Sequence, residues 1–311
     1  MKPKILITRK LKSESIAPLY ENFDVDMWNL EDEVMPRDQL LDRVKGVNAI
    51  LCILTDNIDR ELLDAAGDQL SVVGTVSVGF DHIDTAELEA RNIKLESVVG
   101  ILNESVADLT IALMINSSRR ISESIDAARN GEWSTWSPYW LTGRDLSQST
   151  VGIIGLGAIG EAVAKRLSGF GCNVIYNSRS PKPELEQSLG VSYRNLDDLL
   201  AESDFVTIHN ALTPETEKMC NSEFFSKMKN TAIFINTGRG GLVDQEALYD
   251  ALSSGQIYAA GIDVTTPEPL PTNHPLFSLK NCTILPHIGS ASIRTRDEMV
   301  ESVVRKLASH L

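Results

Sequence analysis

Three segments in the last third of this sequence each run from apolar residues into a side chain that could do chemistry. Ile233 to Gly241 (Ile-Phe-Ile-Asn-Thr-Gly-Arg-Gly-Gly) delivers Arg239, Gly261 to Pro269 delivers Glu268, and Ile284 to Ser290 (Ile-Leu-Pro-His-Ile-Gly-Ser) delivers His287. Singly, each has an ordinary explanation as a surface charge, a loop carboxylate or a satisfied polar group. Together they supply what reduction of a 2-keto acid requires. A guanidinium grips a carboxylate bidentately, and an imidazolium protonates a keto oxygen as hydride arrives. A carboxylate beside the imidazole fixes its orientation and favours its charged form.

A hydride source is signalled by Val151 to Gly160, Val-Gly-Ile-Ile-Gly-Leu-Gly-Ala-Ile-Gly, in which Gly155, Gly157 and Gly160 interrupt an apolar run. The pattern predicts a strand that turns sharply into a helix. The first glycine allows the turn, the second admits a pyrophosphate, and the third lets the helix pack on the strand, so the phosphates face the positive helix end. An apolar strand before, an amphipathic stretch after (Glu161 to Phe170) and a second strand at Asn173 to Tyr176 complete a dinucleotide-binding unit. No Lys-Ser or Lys-Thr follows the glycines, which argues against a nucleoside triphosphate loop.

An NAD site places an acidic residue about 20 residues beyond the glycines to accept from the ribose 2′-hydroxyl. This chain has Asn177, Ser178, Arg179 and Ser180, with Lys182 just beyond. Hydroxyls and cations suit a 2′-phosphate, and the missing carboxylate removes the repulsion that would exclude one. The expected cofactor is NADPH in preference to NADH.

The elements that must position these residues are read from the alternation of strands and helices along the chain. Strands at Lys4 to Thr8, Phe23 to Trp28, Ala49 to Leu54, Ser71 to Val76 and Lys94 to Ser97 alternate with helical stretches, which implies a parallel sheet covered on both faces. The glycine unit opens a second such domain, with strands at Phe205 to His209, Thr231 to Asn236, Ala259 to Val264 and Thr283 to Leu285. The fold class is therefore α/β with two doubly wound domains, one Rossmann-type and one flavodoxin-like. Between them the periodicity predicts one long helix over Ser105 to Ala128. Gly131 to Trp140 then holds Trp133, Trp136 and Trp140 of the chain's four tryptophans. Two readings stay open there: a buried loop or subunit contact, or rings packing on their own domain.

Composition narrows the class. The 311 residues allow about two domains. A net charge of −14 without a basic run argues against nucleic acid or an anionic membrane as partner. Cys52, Cys172, Cys220 and Cys282 match no metal or disulfide spacing and read as reduced thiols of a cytoplasmic protein. No apolar run is long enough to span a membrane, and the opening residues run directly into a strand, so no secretory or transit segment is expected. No metal is expected.

The glycine motif, Asn-Thr-Gly-Arg-Gly, Pro-Glu-Pro and Leu-Pro-His-Ile-Gly-Ser occur in an order and spacing that resembles the D-isomer-specific 2-hydroxyacid dehydrogenases over nearly the whole chain. Trp133 to Trp140, Leu146 to Gly160, Asp263 to Asn273 and His287 to Arg296 look most like the branch of that family that reduces glyoxylate and hydroxypyruvate. The resemblance implies that Arg239, Glu268 and His287 are catalytic, with His287 donating the proton. It implies a substrate site of Arg239, His287, Ser290 and the Val78 and Gly79 amides, with Trp136 lent across a homodimer formed by the helix from Ser105 and the tryptophan loop. The cofactor would lie along Gly155, Gly157, Ala158, Ile159 and Gly160. Ser178, Arg179, Ser180 and Lys182 would surround its 2′-phosphate, and Ala211, Pro214, Thr237, Asp263 and Gly289 would line its cleft. Ala158 stands where close relatives often carry arginine, which places more of the phosphate contact on Arg179. The resemblance also implies a discontinuous substrate domain of residues 1–98 and 290–311 around an NADP-binding domain of residues 99–289. Two alternatives remain: another D-2-hydroxyacid dehydrogenase, of the phosphoglycerate or D-lactate type, and a dinucleotide-sensing binding protein similar to the corepressors that retain this triad.

Overall fold

The computed structural model describes residues 2–311, which divide into two compact units. One comprises the chain as far as Leu102 together with Ala291–Leu311, and the other comprises Asn103–Ser290.

The first unit is a five-stranded parallel sheet of β1 (Lys4–Ile7), β2 (Asp24–Met27), β3 (Ala49–Cys52), β4 (Val72–Thr75) and β5 (Lys94–Glu96), in the order β2-β1-β3-β4-β5. This is the flavodoxin-like order. Helices α1 (Ser13–Asn22), α2 (Arg37–Arg43), α3 (Arg60–Ala66) and α4 (Thr85–Ala90) connect the strands. Local chemistry sets where helices begin: Asp59 and Asp84 accept from the backbone amides of Leu62 and Glu87, so each aspartate caps an otherwise unsatisfied donor.

The second unit starts with α5 (Asn103–Ser118) and α6 (Ile121–Arg129). Here the expected single helix is corrected to two. Apolar periodicity continues across the break, but the Ser118 carbonyl accepts from the Arg144 amide at 2.8 Å, and Arg120 turns left-handed with φ 52°. Its guanidinium folds back onto Glu123 through two 2.8 Å bonds.

There follow β6 (Thr150–Ile154), α7 (Ala158–Leu167), β7 (Asn173–Asn177), α8 (Pro183–Leu189), β8 (Ser192–Tyr193), α9 (Leu196–Glu202) and β9 (Phe205–Ile208). The unit then runs through α10 (Ser222–Ser226), β10 (Ile233–Asn236), α11 (Gln245–Ser253), β11 (Ala259–Ile262) and β12 (Cys282–Ile284), and the chain returns to the first unit in α12 (Ile293–Ala308). The seven strands lie parallel in the order β12-β11-β10-β9-β6-β7-β8, so strand order reverses between β6 and β9. That reversal is where a doubly wound sheet opens a crevice for a ligand. Both faces are buried. Ile233 and Ile235 enter one apolar cluster with Val151, Ile153 and Phe205, whereas Phe234 enters the other with Val206 and Ile208, as the two-residue period of a strand requires.

Most of the tryptophan segment stands clear of its unit. Trp136 is 80% and Tyr139 85% exposed, and Trp133 and Trp140 are exposed with them. The buried-loop and own-domain readings are therefore corrected for the chain by itself. The segment lies outside any helix or strand, and its own unit leaves Trp133, Trp136 and Tyr139 mostly uncovered.

Candidate active site

The glycine turn has the geometry its spacing implies. Gly155 adopts φ +93°, and a Cβ there would lie 2.4 Å from Asn210 Oδ1; a Cβ on Gly160 would lie 2.2 Å from the Gly155 carbonyl oxygen. At Gly157 a Cβ would meet nothing within 4 Å, so the backbone there is open to a ligand. Gly157 is also the N-cap of α7 and offers no side chain to its first amides. Open space beside unsatisfied N–H groups fits a pyrophosphate.

The turn after β7 is drawn towards this loop. Lys182 Nζ donates to the Leu156 carbonyl at 2.5 Å, and its backbone amide donates to the Tyr176 hydroxyl at 2.6 Å. Tyr176 in turn reaches Glu186 at 2.8 Å, and burial, ahead of that carboxylate, pushes the phenol up. Ser178 Oγ donates to the Ser180 carbonyl at 2.7 Å. Arg179 and Ser180 are exposed. No acidic side chain stands between Asn177 and Pro183, so a 2′-phosphate fits this turn. Beyond β9, Ala211 and Pro214 lie in an exposed loop, and His209 Nε2 contacts Thr207 Oγ1 at 3.0 Å.

The three strand ends are built by neighbouring polar residues, of which Asn236 and Gln245 carry no signal in the sequence. After β10, the fully buried Asn236 donates to the Arg239 carbonyl at 2.9 Å and accepts from the Gly238 amide at 3.0 Å, closing the turn that presents Arg239. Thr237 Oγ1 contacts Thr110 Oγ1 at 2.9 Å. After β11, Gln245 clasps Thr266 with two 2.8 Å bonds, one to its carbonyl and one from its amide. Glu268 Oε1 accepts from the Thr265 amide at 2.9 Å.

After β12, His287 sits at φ 54°, a region unusual for residues other than glycine. Its Nδ1 lies 2.7 Å from Glu268 Oε2. Burial pushes the Glu268 carboxyl up, but the hydrogen bond and charge of His287, the Thr265 amide and the nearby Arg239 guanidinium outweigh it and hold the group below its ordinary value. With Nδ1 engaged, Nε2 is the ring nitrogen without a partner among the described residues. Asp263, only 1% exposed, accepts from the Ile288 amide at 2.8 Å and the Gly289 amide at 2.7 Å. Burial raises its pKa despite these bonds. Its carboxylate thereby holds the histidine turn. Ser105 Oγ donates to the Gly289 carbonyl at 3.0 Å.

In the first unit, Val78 and Gly79 follow β4 in a turn whose two amides make no hydrogen bond to another described residue. Successive unpaired amides of this kind suit an anion.

The model of the D-isomer specific 2-hydroxyacid dehydrogenase NAD-binding domain matches residues 111–289. The glyoxylate reductase/hydroxypyruvate reductase of Mus musculus is 48% identical over 306 residues, covering 96% of this chain and 93% of its own. The chain belongs to the D-isomer-specific 2-hydroxyacid dehydrogenase family. Among solved structures, this dehydrogenase is similar to the TT0316 protein of Thermus thermophilus, with a TM-score of 0.92 and 42% identity over 98% of this chain and 96% of that one. It is also similar to the NADPH-dependent glyoxylate/hydroxypyruvate reductase of Sinorhizobium meliloti solved with NADP and malonate, with a TM-score of 0.86 and 31% identity over 99% and 93% of the two chains. This 2-hydroxyacid dehydrogenase is thus an oxidoreductase with an NAD(P)-binding domain, and no helix among its described residues is long and apolar enough to cross a membrane.

Proposed function

We propose that this dehydrogenase reduces glyoxylate to glycolate and hydroxypyruvate to D-glycerate, with NADPH preferred over NADH. The observation that carries the reading is the 2.7 Å contact of His287 Nδ1 with Glu268, which leaves Nε2 to serve a keto oxygen. The names of the similar proteins from Mus musculus and Sinorhizobium meliloti support the choice of acids.

The bound nicotinamide dinucleotide supplies the hydride. Gly155 to Gly160, with Ala158 and Ile159, receive its pyrophosphate, and Ser178, Arg179, Ser180 and Lys182 receive the 2′-phosphate. Ala211, Pro214, Thr237, Asp263 and Gly289 line the rest of its path. Arg239 pairs with the substrate carboxylate, and the Val78 and Gly79 amides are a second carboxylate-binding element, carried by the first unit. Ser290 adds a polar contact. His287 Nε2 gives its proton to the keto oxygen while Glu268 stabilises the imidazolium and keeps the ring oriented.

A homodimer is part of the proposal. Ile121 and Ile125 on α6 are exposed together with Trp133, Trp136, Tyr139 and Trp140, an apolar surface that a second copy would cover, lending Trp136 to its partner's substrate site. Four unpaired cysteines support a cytoplasmic setting. The direct test is oxidation of NADPH and NADH with glyoxylate, hydroxypyruvate, pyruvate and phosphohydroxypyruvate side by side. Turnover of the first two with NADPH is expected. Activity confined to another acid, or NADPH binding without turnover, would overturn the proposal.

A further inference from the structure

The turn that carries Val78 and Gly79 is held by a chain of hydrogen bonds whose direction can be worked out. Ser77 Oγ donates to the Gly79 carbonyl at 2.9 Å. Its one hydrogen is thereby committed, so in the 2.8 Å contact between Thr75 Oγ1 and Ser77 Oγ the threonine is the donor. Thr75 then has no hydrogen left for His82 Nε2, 3.0 Å away, and the ring nitrogen must donate. The three bonds coexist in one sense only: His82 to Thr75, Thr75 to Ser77, Ser77 to Gly79.

The backbone leaves this chain a task. Ser77 is tied through its carbonyl to the Val98 amide at 3.3 Å, and His82 through its carbonyl to the Ile58 amide at 2.9 Å. Between those anchors, Ile83 donates to Phe80 at 2.8 Å, while Val78 and Gly79 donate to nothing described. Gly79 has the widest backbone freedom in the segment, and its carbonyl is the group that Ser77 holds. Thr75 is fully buried and Ser77 nearly so, whereas Val78 is 37% exposed. A rigid polar support thus lies directly beneath two open amides.

We infer that His82, Thr75 and Ser77 are positioning residues for the substrate carboxylate, fixing the Gly79 backbone so that the Val78 and Gly79 amides are preorganised to receive it. The inference rests on the proposed reduction of a 2-keto acid. Preorganised donors bind without the ordering cost that a loose loop would incur, so the relay acts on substrate binding more than on the chemical step.

The test uses the full-length enzyme and whichever 2-keto acid the unaltered protein reduces best, with the dissociation constant of oxalate on the NADPH-loaded enzyme as a second readout. Ser77→Ala, Thr75→Val and His82→Leu are each expected to raise KM for the keto acid and weaken oxalate by about tenfold, the effect of one lost hydrogen bond. Turnover number and NADPH affinity should stay near their unaltered values. His82→Gln and Thr75→Ser, which keep a donor at the same place, should restore most of the loss. Combining Ser77→Ala with His82→Leu should cost little more than either alone, because both break one relay. Unchanged KM and oxalate binding in Ser77→Ala would overturn the inference, as would a loss in His82→Leu that His82→Gln does not relieve. An equal loss of NADPH affinity would also overturn it, since that would mean general damage. Should the unaltered enzyme reduce no 2-keto acid, the proposed function itself falls, and this inference with it.

Discussion

Asp263 and Gly289 are joined across twenty-six positions of sequence by a 2.7 Å bond from the Gly289 amide to the buried carboxylate. Its other oxygen takes the Ile288 amide at 2.8 Å. The residue just before this pair is His287, whose own amide donates to the Asp263 carbonyl at 2.9 Å. One residue at the end of β11 therefore holds three successive amides of the turn after β12, and so fixes where the imidazole stands.

Replacing Asp263 by asparagine puts an N–H group against one of these amides. Stability should fall by about 1.5–3 kcal/mol, the range for a buried hydrogen bond to a charged group, and turnover should fall at least about tenfold as His287 loses its placement. Urea unfolding and steady-state kinetics check both. Unchanged stability and turnover would contradict the role of Asp263 in holding the turn.

Arg239 is expected to bind the substrate carboxylate in the ground state and more strongly in the transition state, where it also keeps the keto carbon oriented. Arg239→Ala should raise KM and lower turnover together, with kcat/KM down by about a hundredfold or more, and Arg239→Lys should recover only part of this because an ammonium lacks the bidentate fork. Kinetics with a keto acid and with the corresponding aldehyde lacking the carboxylate would check the assignment: the aldehyde rate should barely change.

Cofactor choice is expected to follow the turn after β7. Ser178→Asp should reverse the preference for NADPH, because a carboxylate repels the 2′-phosphate and accepts from a ribose hydroxyl. The ratio of kcat/KM for the two cofactors is the readout. An unchanged ratio would remove Ser178 and its neighbours from the 2′-phosphate site.

Burial pushes His209 down to about 4, and its Nδ1 is buried without a hydrogen-bond partner among the described residues. The folded chain therefore keeps this ring neutral, while the unfolded chain protonates it below about pH 6.5. The stability that depends on the neutral ring is fully present above pH 6.5 and is lost as pH falls towards 4, by about 3 kcal/mol in all. Denaturant unfolding at pH 7 and pH 4.5 should show His209→Gln losing distinctly less than the unaltered enzyme over that interval.

The architecture was legible where the signal was local and apolar. Runs such as Phe-Val-Thr-Ile and Ile-Phe-Ile declare central strands, and the three glycines declare their turn because each answers a separate steric demand. The short β8 and the polar α8 escaped notice, since neither buries enough apolar surface to leave a pattern. The break at Arg120 was invisible because apolar spacing continues through it, and a carbonyl bonded to the distant Arg144 decides the matter. In the candidate site the reactive side chains could be named from their strand ends, and the juxtaposition of Glu268 with His287 appeared as expected. Their supports could not be named. Asn236, Gln245 and the capping role of Asp263 depend on contacts across the fold, and such residues look like ordinary polar positions in one dimension.

The pairing of His287 with Glu268 bears most of the functional account, and one variant probes it directly. His287→Ala should be assayed with NADPH and hydroxypyruvate, alongside measurement of NADPH binding by its fluorescence. Turnover is expected to fall by about a hundredfold to ten-thousandfold, the usual worth of a positioned general acid, while NADPH binds as it does to the unaltered enzyme. Near-normal turnover would contradict the account by showing that the proton reaches the keto oxygen from another group.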